Sequence, residues 1–290
     1  MSVQARIYVG TSGWSYPKGE GTWTGYFYPT GKINELEYYS QFFNTVEINS
    51  SFYRPPNPGY VYNWAKRVPE GFLFTVKLWQ KFTHPKMYKE ATGEEASISQ
   101  KDVDLFNHSI EPLIEYRKLG VLLAQFPPSF KNDGYGKQIL SAVIRTFGQY
   151  RLAVELRHRS WSDDENTARL LTKNNVAWVQ IDEPKFQTSV ASEVPLTSDL
   201  AYFRFHGRNK EMWWKGDSET RYKYLYSPDE INELSGKVRS AADQTTLLFA
   251  FFNNHWQGYA PRNAVSMMKA LQLPYAELPV YDASTEEDER

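Results

Sequence analysis

Two hydrophobic periodicities alternate along this 290-residue chain. Short apolar or alternating segments, typical of strands, precede segments whose apolar residues recur three and four positions apart, as on one face of a helix. The strand-like segments are 6–14, 45–53, 72–80, 120–127, 151–161, 176–183, 200–208 and 245–254. The helix-like segments are 32–43, 59–68, 99–119, 135–148 and 262–271, and two more helices are expected after the capping signatures at 162–165 and 227–230.

This alternation predicts an α/β fold, specifically a TIM-type (β/α)8 barrel, because eight strands followed by helices can close a parallel sheet. The helix after the sixth strand is expected to be shortened or missing, since residues 185–198 show no helical pattern. No linker-like stretch divides the chain. We therefore predict one barrel domain over residues 1–283, followed by an acidic disordered tail at 284–290.

The composition mainly excludes certain kinds of site and partner. The chain lacks cysteine, which excludes disulfides, cysteine-ligated metal sites and cysteine nucleophiles. A net charge of −1 argues against strong nonspecific affinity for nucleic acid, so nucleic acid is a conceivable partner but not a favoured one. The N-terminus has no signal-peptide pattern and no apolar run is long enough to span a membrane, so a cytoplasmic location without membrane partners is expected. Periodicity leaves the oligomeric state undetermined.

Charged residues alternate with bulky apolar residues in several predicted strands. In the second strand, Glu47 lies between Val46 and Ile48. The same pattern in the third, fifth, sixth and seventh strands involves Lys77, Glu155, Asp182 and Arg204. Because the apolar face must pack beneath the helices, we expect the charged face to point into the barrel. These charges lie toward the C-terminal ends of their strands, where TIM barrels build their active sites.

Several segments resemble the YecE-like family, which is also called domain of unknown function 72. The segments include Gly10-Thr-Ser-Gly-Trp14, Thr45-Val-Glu-Ile-Asn-Ser-Ser-Phe-Tyr53, Gln125-Phe-Pro-Pro128, Ala153-Val-Glu-Leu-Arg157, Arg204-Phe-His-Gly-Arg208 and Phe252-Asn-Asn254. The resemblance covers nearly the whole chain and implies a TIM-type barrel. It implies no established activity, so a reaction has to be inferred from the residues themselves.

We predict that the C-terminal ends of the strands bind a small anionic ligand, such as a phosphorylated compound. Guanidinium groups suit bidentate recognition of phosphate or carboxylate, and several arginines fall in this region. The predicted ligand-binding residues are Asn49, Lys77, Gln125, Arg157, Arg204, Arg208, Asn253, Asn254, Trp14 and Tyr53. Acid–base catalysis is assigned to Glu47 and Glu155, with Asp182 and His206 assisting.

Two other functions stay open at this point. A divalent metal held by Glu155, Asp182 and His206 would indicate a hydrolase or isomerase, by analogy with sugar isomerases and abasic-site endonucleases on similar barrels. Neighbouring arginines count against this alternative because they would repel a dication, and no cofactor is predicted. The remaining possibility is a protein that binds a ligand or nucleic acid without catalysis.

Overall fold

The computed structural model describes residues 5–216 and 220–281 of the chain. Within these ranges nine strands form one parallel sheet: β1 (Arg6–Ser12), β2 (Thr45–Ile48), β3 (Leu73–Lys77), β4 (Leu119–Gln125), β5 (Leu152–Glu155), β6 (Ala177–Trp178), β7 (Gln180–Asp182), β8 (Leu200–Phe205) and β9 (Leu247–Phe252). The predicted tail at 284–290 lies outside the described residues, and so do the first four residues of the predicted domain.

Helices alternate with these strands. They are α1 (Glu35–Tyr39), α2 (Pro58–Arg67), α3 (Gln80–Thr83), α4 (Pro85–Thr92), α5 (Gln100–Glu115), α6 (Gly134–Phe147), α7 (Arg159–Ser162), α8 (Glu165–Lys173), α9 (Pro228–Ala242) and α10 (Tyr259–Ala270). The capping box expected at 227–230 is present: the Ser227 side chain accepts from the Glu230 backbone N–H, and the Glu230 side chain accepts from the Ser227 backbone N–H. The short helices α3, α4 and α7 were not predicted: α3 and α4 lie in the connection between β3 and α5, and α7 begins inside segment 151–161, which was predicted as a strand but ends as β5 at Glu155.

The sheet closes at the predicted sixth strand. The strand order is β6-β5-β4-β3-β2-β1-β9-β8-β7, so β6 and β7 lie at opposite edges of the sheet. Only Val179 separates these two strands in the chain, and its N–H donates to the carbonyl of Val154 in β5 at 3.0 Å. The two edges are therefore brought together, which gives the predicted α/β TIM-type barrel with its sixth strand in two short pieces.

The connection between β7 and β8 contains no helix, as the absence of helical periodicity at 185–198 predicted. The loop packs against the barrel instead, where Gln180 Nε2 donates to the carbonyl of Val194 at 2.9 Å. A groove of about 540 Å³ remains between this part of the barrel and α9. No helix in the described part of the chain is long and apolar enough to cross a membrane.

Aromatic side chains fill the barrel beneath the charged residues. Tyr202 lies 5.3 Å from Phe251 between ring centroids, and Phe249 packs against both rings. All three side chains are buried. The Tyr202 hydroxyl donates to Glu47 at 2.7 Å, so this aromatic layer also supports the polar groups above it.

Candidate functional site

Arg204 of β8 is the centre of the charged cluster. It is 2% exposed, and its guanidinium bridges two carboxylates that are fully buried. Nη2 and Nε donate to Glu47 at 2.7 and 3.1 Å, and Nη1 donates to Glu155 at 2.6 Å. Nη1 also reaches Gln125 Oε1 at 3.3 Å. Strands β2, β4, β5 and β8 therefore meet through one side chain inside the barrel, as the charge pattern predicted.

Arg157 extends this network towards the solvent. It lies just beyond the end of β5, where its Nε donates to Glu155 at 2.6 Å and its Nη2 lies 2.9 Å from His206 Nε2. Its Nη1 lies 3.6 Å from Glu183, which is too long for a hydrogen bond. Burial opposes ionisation of Glu155, but the guanidinium groups of Arg204 and Arg157 outweigh it and hold the pKa of Glu155 well below its usual range.

His206 is a neutral imidazole in this arrangement. It is fully buried, and burial together with the charges of Arg157 and Arg204 lowers its pKa well below the usual value. A guanidinium can only donate, so Nε2 accepts from Arg157 and Nδ1 carries the proton. The side-chain amide of Asn253 lies 2.9 Å from Nδ1. When the amide is oriented with its oxygen towards the ring, this oxygen accepts a hydrogen bond from the Nδ1 proton.

Lys77 differs from the two arginines because it has no carboxylate partner. Its ammonium group forms no hydrogen bond or ion pair with a described residue, and the ring of Phe52 lies 4.0 Å from Nζ. Burial and the positive charge of Arg204 lower the pKa of Lys77 to about 7, although Glu155 and Glu47 favour its charged form. A substantial fraction of this lysine is therefore uncharged near neutral pH.

A cavity of about 470 Å³ opens above these groups at the C-terminal ends of the strands. Its lining combines cations, imidazoles, amides and aromatic rings: Tyr16, Asn49, Ser50, Phe52, Tyr53, Lys77, His84, Met87, Gln125, Pro127, Pro128, Arg157, Arg204, His206, Trp213, Trp214, Arg221, Tyr222, Asn253 and His255. Asn49 Oδ1 is buried there without a donor among the described residues. The volume suits a small molecule.

Basic side chains outnumber carboxylates around the cavity. Three carboxylates, of Glu47, Glu155 and Glu183, lie beneath or beside it, and burial raises the pKa of Glu183. Four cationic side chains line it: Lys77, Arg157, Arg204 and Arg221. Because Glu47 and Glu155 are saturated by arginine contacts, the outward-facing donors belong mainly to Arg157 and Lys77.

The prediction that Asp182 points into the barrel is wrong. Asp182 is in register with Phe205, and Ile181 is in register with Arg204, so Asp182 lies on the outer face while Ile181 lies on the inner one. Arg208 is outside the cavity as well, since it binds Asp182 at 2.7 Å and Glu230 at 3.2 Å. The physical reason is the missing helix. Because no helix packs against the outer face of β7, this face can be polar. The usual arrangement, with apolar residues facing outward and polar residues facing inward, is therefore reversed in this strand.

Two further predicted ligand-binding residues also lie elsewhere. The Trp14 ring packs edge-on against Trp64 of α2 at 5.2 Å, on the outer side of the barrel. The Asn254 side chain donates to the carbonyl of Tyr224 and to Asn263 of α10, both at 2.8 Å, so it connects a loop to a helix. Their strands end earlier than predicted, at Ser12 and Phe252, and the chain turns away from the barrel axis.

The other predicted ligand-binding residues surround the cavity. Asn49 and Tyr53 do so from a 3₁₀ turn, Ser50–Phe52, which replaces the end of the predicted second strand. Tyr53 is 69% exposed at the rim. Gln125 and Asn253 contact Arg204 and His206, respectively, and so orient the charged groups.

The alternative metal set does not come together. Glu155 Oε1 lies 3.8 Å from His206 Nε2, but Arg157 binds both groups and Asp182 faces away from the cavity. Among the described residues there is no group of three or more histidine, aspartate or glutamate side chains placed to share a metal ion.

Sequence reasoning missed several residues of the cavity. Arg221 and Tyr222 come from a 3₁₀ turn in the segment after β8, which has no periodic pattern that would indicate its position. Glu183 follows β7 directly. Continuing the strand alternation, it lies on the same face as Ile181 and on the opposite face from Asp182. An apolar residue at position 181 gave no reason to place Glu183 on the inner side. His84 was the most accessible signal, because it closely follows β3 in the chain.

Other hollows on the surface lack this chemistry. One of them, of about 670 Å³, lies between the loop after β1 and helix α2 and includes Trp14 and Arg67. Arg67 is exposed there, 3.6 Å from Glu37. The cavity at the strand C-terminal ends combines buried charges with unpaired donors among the described residues, so we treat it as the candidate functional site.

The fold agrees with that of known proteins. Proteins of solved structure with the same fold include a DUF72 family protein from Thermotoga maritima, with a TM-score of 0.80 and 37% identity over 92% of this chain and 99% of that protein. A DUF72 family protein from Enterococcus faecalis has a TM-score of 0.80 and 29% identity over 94% of this chain and 98% of its own.

Sequence relatives lead to the same family. UPF0759 protein YunF of Bacillus subtilis is 30% identical over 284 residues, which are 94% of this chain and 97% of YunF. UPF0759 protein YecE of Escherichia coli K12 is 28% identical over 158 residues, 52% of this chain and 48% of YecE. The sequence profile described as "Protein of unknown function DUF72" matches residues 8–289. The chain therefore belongs to the DUF72 family, whose function is not established.

Proposed function

We propose that the protein binds a small anionic ligand in the cavity at the strand C-terminal ends and acts on it by acid–base chemistry. The observation that carries the proposal is the state of Arg157. Hydrogen bonds to Glu155 and His206 use two of its five N–H groups, and no described residue accepts from the rest. A phosphate or carboxylate oxygen bound to Nη1 would complete this guanidinium.

Lys77 is the better candidate for proton transfer than the two buried glutamates. Glu47 and Glu155 are both engaged by Arg204, which stabilises their charged forms. Lys77 borders the cavity without a carboxylate partner, and its pKa of about 7 lets it accept or donate a proton near neutral pH. We therefore assign Glu47 and Glu155 to holding Arg204 and Arg157 in place.

The test is binding of inorganic phosphate and sulfate, measured by calorimetry on the wild type, Arg157→Lys and Arg157→Gln. Losing charge-assisted hydrogen bonds of about 1.5–3 kcal/mol should weaken binding by roughly 10- to 100-fold in Arg157→Gln. Arg157→Lys should weaken phosphate binding less, because the positive charge remains while the paired N–H donors of the guanidinium are lost. Thermal unfolding of each variant checks that it is folded.

The control variant is Arg169→Gln, which removes the same charge from an exposed arginine that pairs only with α8 residues. It should bind phosphate as the wild type does. Absence of saturable binding of either anion to the wild type would contradict the proposal, and so would an unchanged dissociation constant in folded Arg157→Gln.

A further inference from the structure

Lys77 occupies an unusual position for a half-buried lysine. Lys118, which is buried, and Lys81, which is half-buried, are bound by acceptors. Lys118 donates to the backbone carbonyls of Val68 and Pro69, and Lys81 pairs with Asp102 at 2.9 Å. Such partners compensate for the loss of water around an ammonium group. Lys77 has none of them, although the cavity exposes it to a ligand. A purely structural role would not require an amine at this position.

We propose that Lys77 is a nucleophile that forms an imine with the aldehyde or ketone group of a small ligand, whose phosphate or carboxylate is bound by Arg157. The inference rests on the proposed function, because the anion site must hold the ligand beside the amine. It goes further by naming a carbonyl compound as the substrate class and a covalent intermediate as the chemistry.

Two features of the surroundings bear on the reactivity of this amine. The Phe52 ring covers one side of Nζ at 4.0 Å, although the face of the ring also attracts the charged form. The neighbouring cations, Arg204 from β8 and Arg157 beyond β5, disfavour a third positive charge. A lysine near other cations in a desolvated pocket is the usual way in which proteins make an amine nucleophilic.

The lowered pKa of Lys77 increases the fraction of this side chain that is uncharged. With a pKa of about 7, roughly half of the Lys77 side chains are uncharged at pH 7. A lysine at the ordinary value is uncharged in roughly one molecule in 3,000 at that pH. Lys77 should therefore react with carbonyl compounds well before the other lysines of the chain.

The proposed step conserves atoms and charge. The lone pair of neutral Nζ attacks the carbonyl carbon, a C–N bond forms, and the carbonyl π electrons move to oxygen. A proton passes from nitrogen to this oxygen to give a carbinolamine. The nitrogen lone pair then forms the C=N bond while the protonated oxygen leaves as water. No oxidant or reductant takes part, and water reverses the step.

The experiment is reductive trapping of the full chain at pH 7 with sodium cyanoborohydride, followed by peptide mass spectrometry. The probes are glycolaldehyde phosphate and glycolaldehyde, which differ only in the anion. We expect one adduct per chain on Lys77 with glycolaldehyde phosphate, formed at least about tenfold faster than on Lys81 or Lys118, which are internal controls with paired amines. Inorganic phosphate should slow this labelling by competition.

Variants separate the possible failures. Lys77→Arg keeps a positive charge but cannot form an imine, so it should give no adduct at this position, and thermal unfolding checks that it is folded. If the wild type binds phosphate at Arg157 but Lys77 labels no faster than the internal controls, the imine inference is wrong and the anion site stands. If glycolaldehyde labels Lys77 as fast as its phosphate and phosphate does not compete, the amine is reactive but the anion site proposed for Arg157 fails.

Discussion

Glu47 illustrates how completely one residue can be committed to structure inside this barrel. Its carboxylate accepts two hydrogen bonds from Arg204 and one from Tyr202, and no part of it reaches solvent. Both oxygens are therefore occupied by partners from β8. A residue held in this way is better suited to positioning Arg204 than to transferring protons to a ligand.

Replacing Glu47 by Gln should destabilise the protein strongly. The change removes a buried negative charge and leaves Arg204 with one carboxylate partner, Glu155, instead of two, and breaking such a buried pair costs about 3–5 kcal/mol in the free energy of unfolding. Denaturant unfolding measures the difference. The control is Glu37→Gln, an exposed residue 3.6 Å from Arg67, for which a change within about 0.5 kcal/mol is expected. Equal small losses in both variants would show that the network does not stabilise the fold.

At the scale of elements, the strand ends decide which side chains reach the cavity. Strand β2 ends at Ile48 and continues as a 3₁₀ turn, which brings Asn49 and Phe52 to the cavity. Strand β8 ends at Phe205, and Gly207 follows with a φ of 88°, a conformation that disfavours a side chain. The chain then turns away, which leaves His206 in the cavity and sends Arg208 to Asp182 on the outside.

Helix α9 offers a test of local stabilisation near this turn. Ser227 Oγ accepts from the Glu230 backbone at 3.3 Å, and Glu230 Oε2 accepts from the Ser227 backbone at 2.9 Å. Ser227→Ala removes one half of this capping box and should lower the free energy of unfolding by about 1 kcal/mol. Ser240→Ala, at an exposed position in the same helix, should leave stability unchanged or slightly higher. Similar losses for both variants, measured by urea unfolding, would contradict the capping argument.

At the scale of the whole molecule, the enclosed site links stability to pH. Burial lowers the pKa of His84 to about 3 and that of His206 far below its usual value, with the nearby cations Lys77 and Arg157 acting in the same direction on His84 and Glu155 opposing them. Both histidines stay neutral in the folded state, whereas the unfolded chain binds protons near pH 6.5. The stability they contribute is thus complete above pH 6.5 and is lost as the pH falls below it.

Acidification from pH 7 to pH 5 should therefore lower the free energy of unfolding, by up to about 1.4 kcal/mol per pH unit for each histidine. His84→Phe should reduce this slope by one histidine's share, as measured by urea unfolding at several pH values. The matched control is His108→Gln at an exposed position of α5, which should leave the slope as it is. A wild-type stability that does not change between pH 7 and pH 5 would contradict the neutral state of the buried imidazoles.

The sequence by itself determined the barrel, the missing helix after the sixth strand and the inward charges of Glu47, Glu155 and Arg204. These features follow from local periodicity, because side chains alternate along a strand and apolar faces must be covered. The same rule failed for Asp182, where a loop replaces the covering helix. Only the tertiary structure could decide this, because whether a helix packs on a strand depends on the neighbouring elements and not on the sequence of the strand itself.

The tertiary structure also decided which charged groups are paired and which are available. Arg204 meets Glu47 across 157 positions of the chain and Glu155 across 49. Pairing at such separations depends on barrel closure, so no local pattern distinguishes the engaged glutamates from the unpaired Lys77. The sequence could name several residues of the site, but their roles follow from hydrogen-bond partners and burial, which exist only after the strands have closed around them.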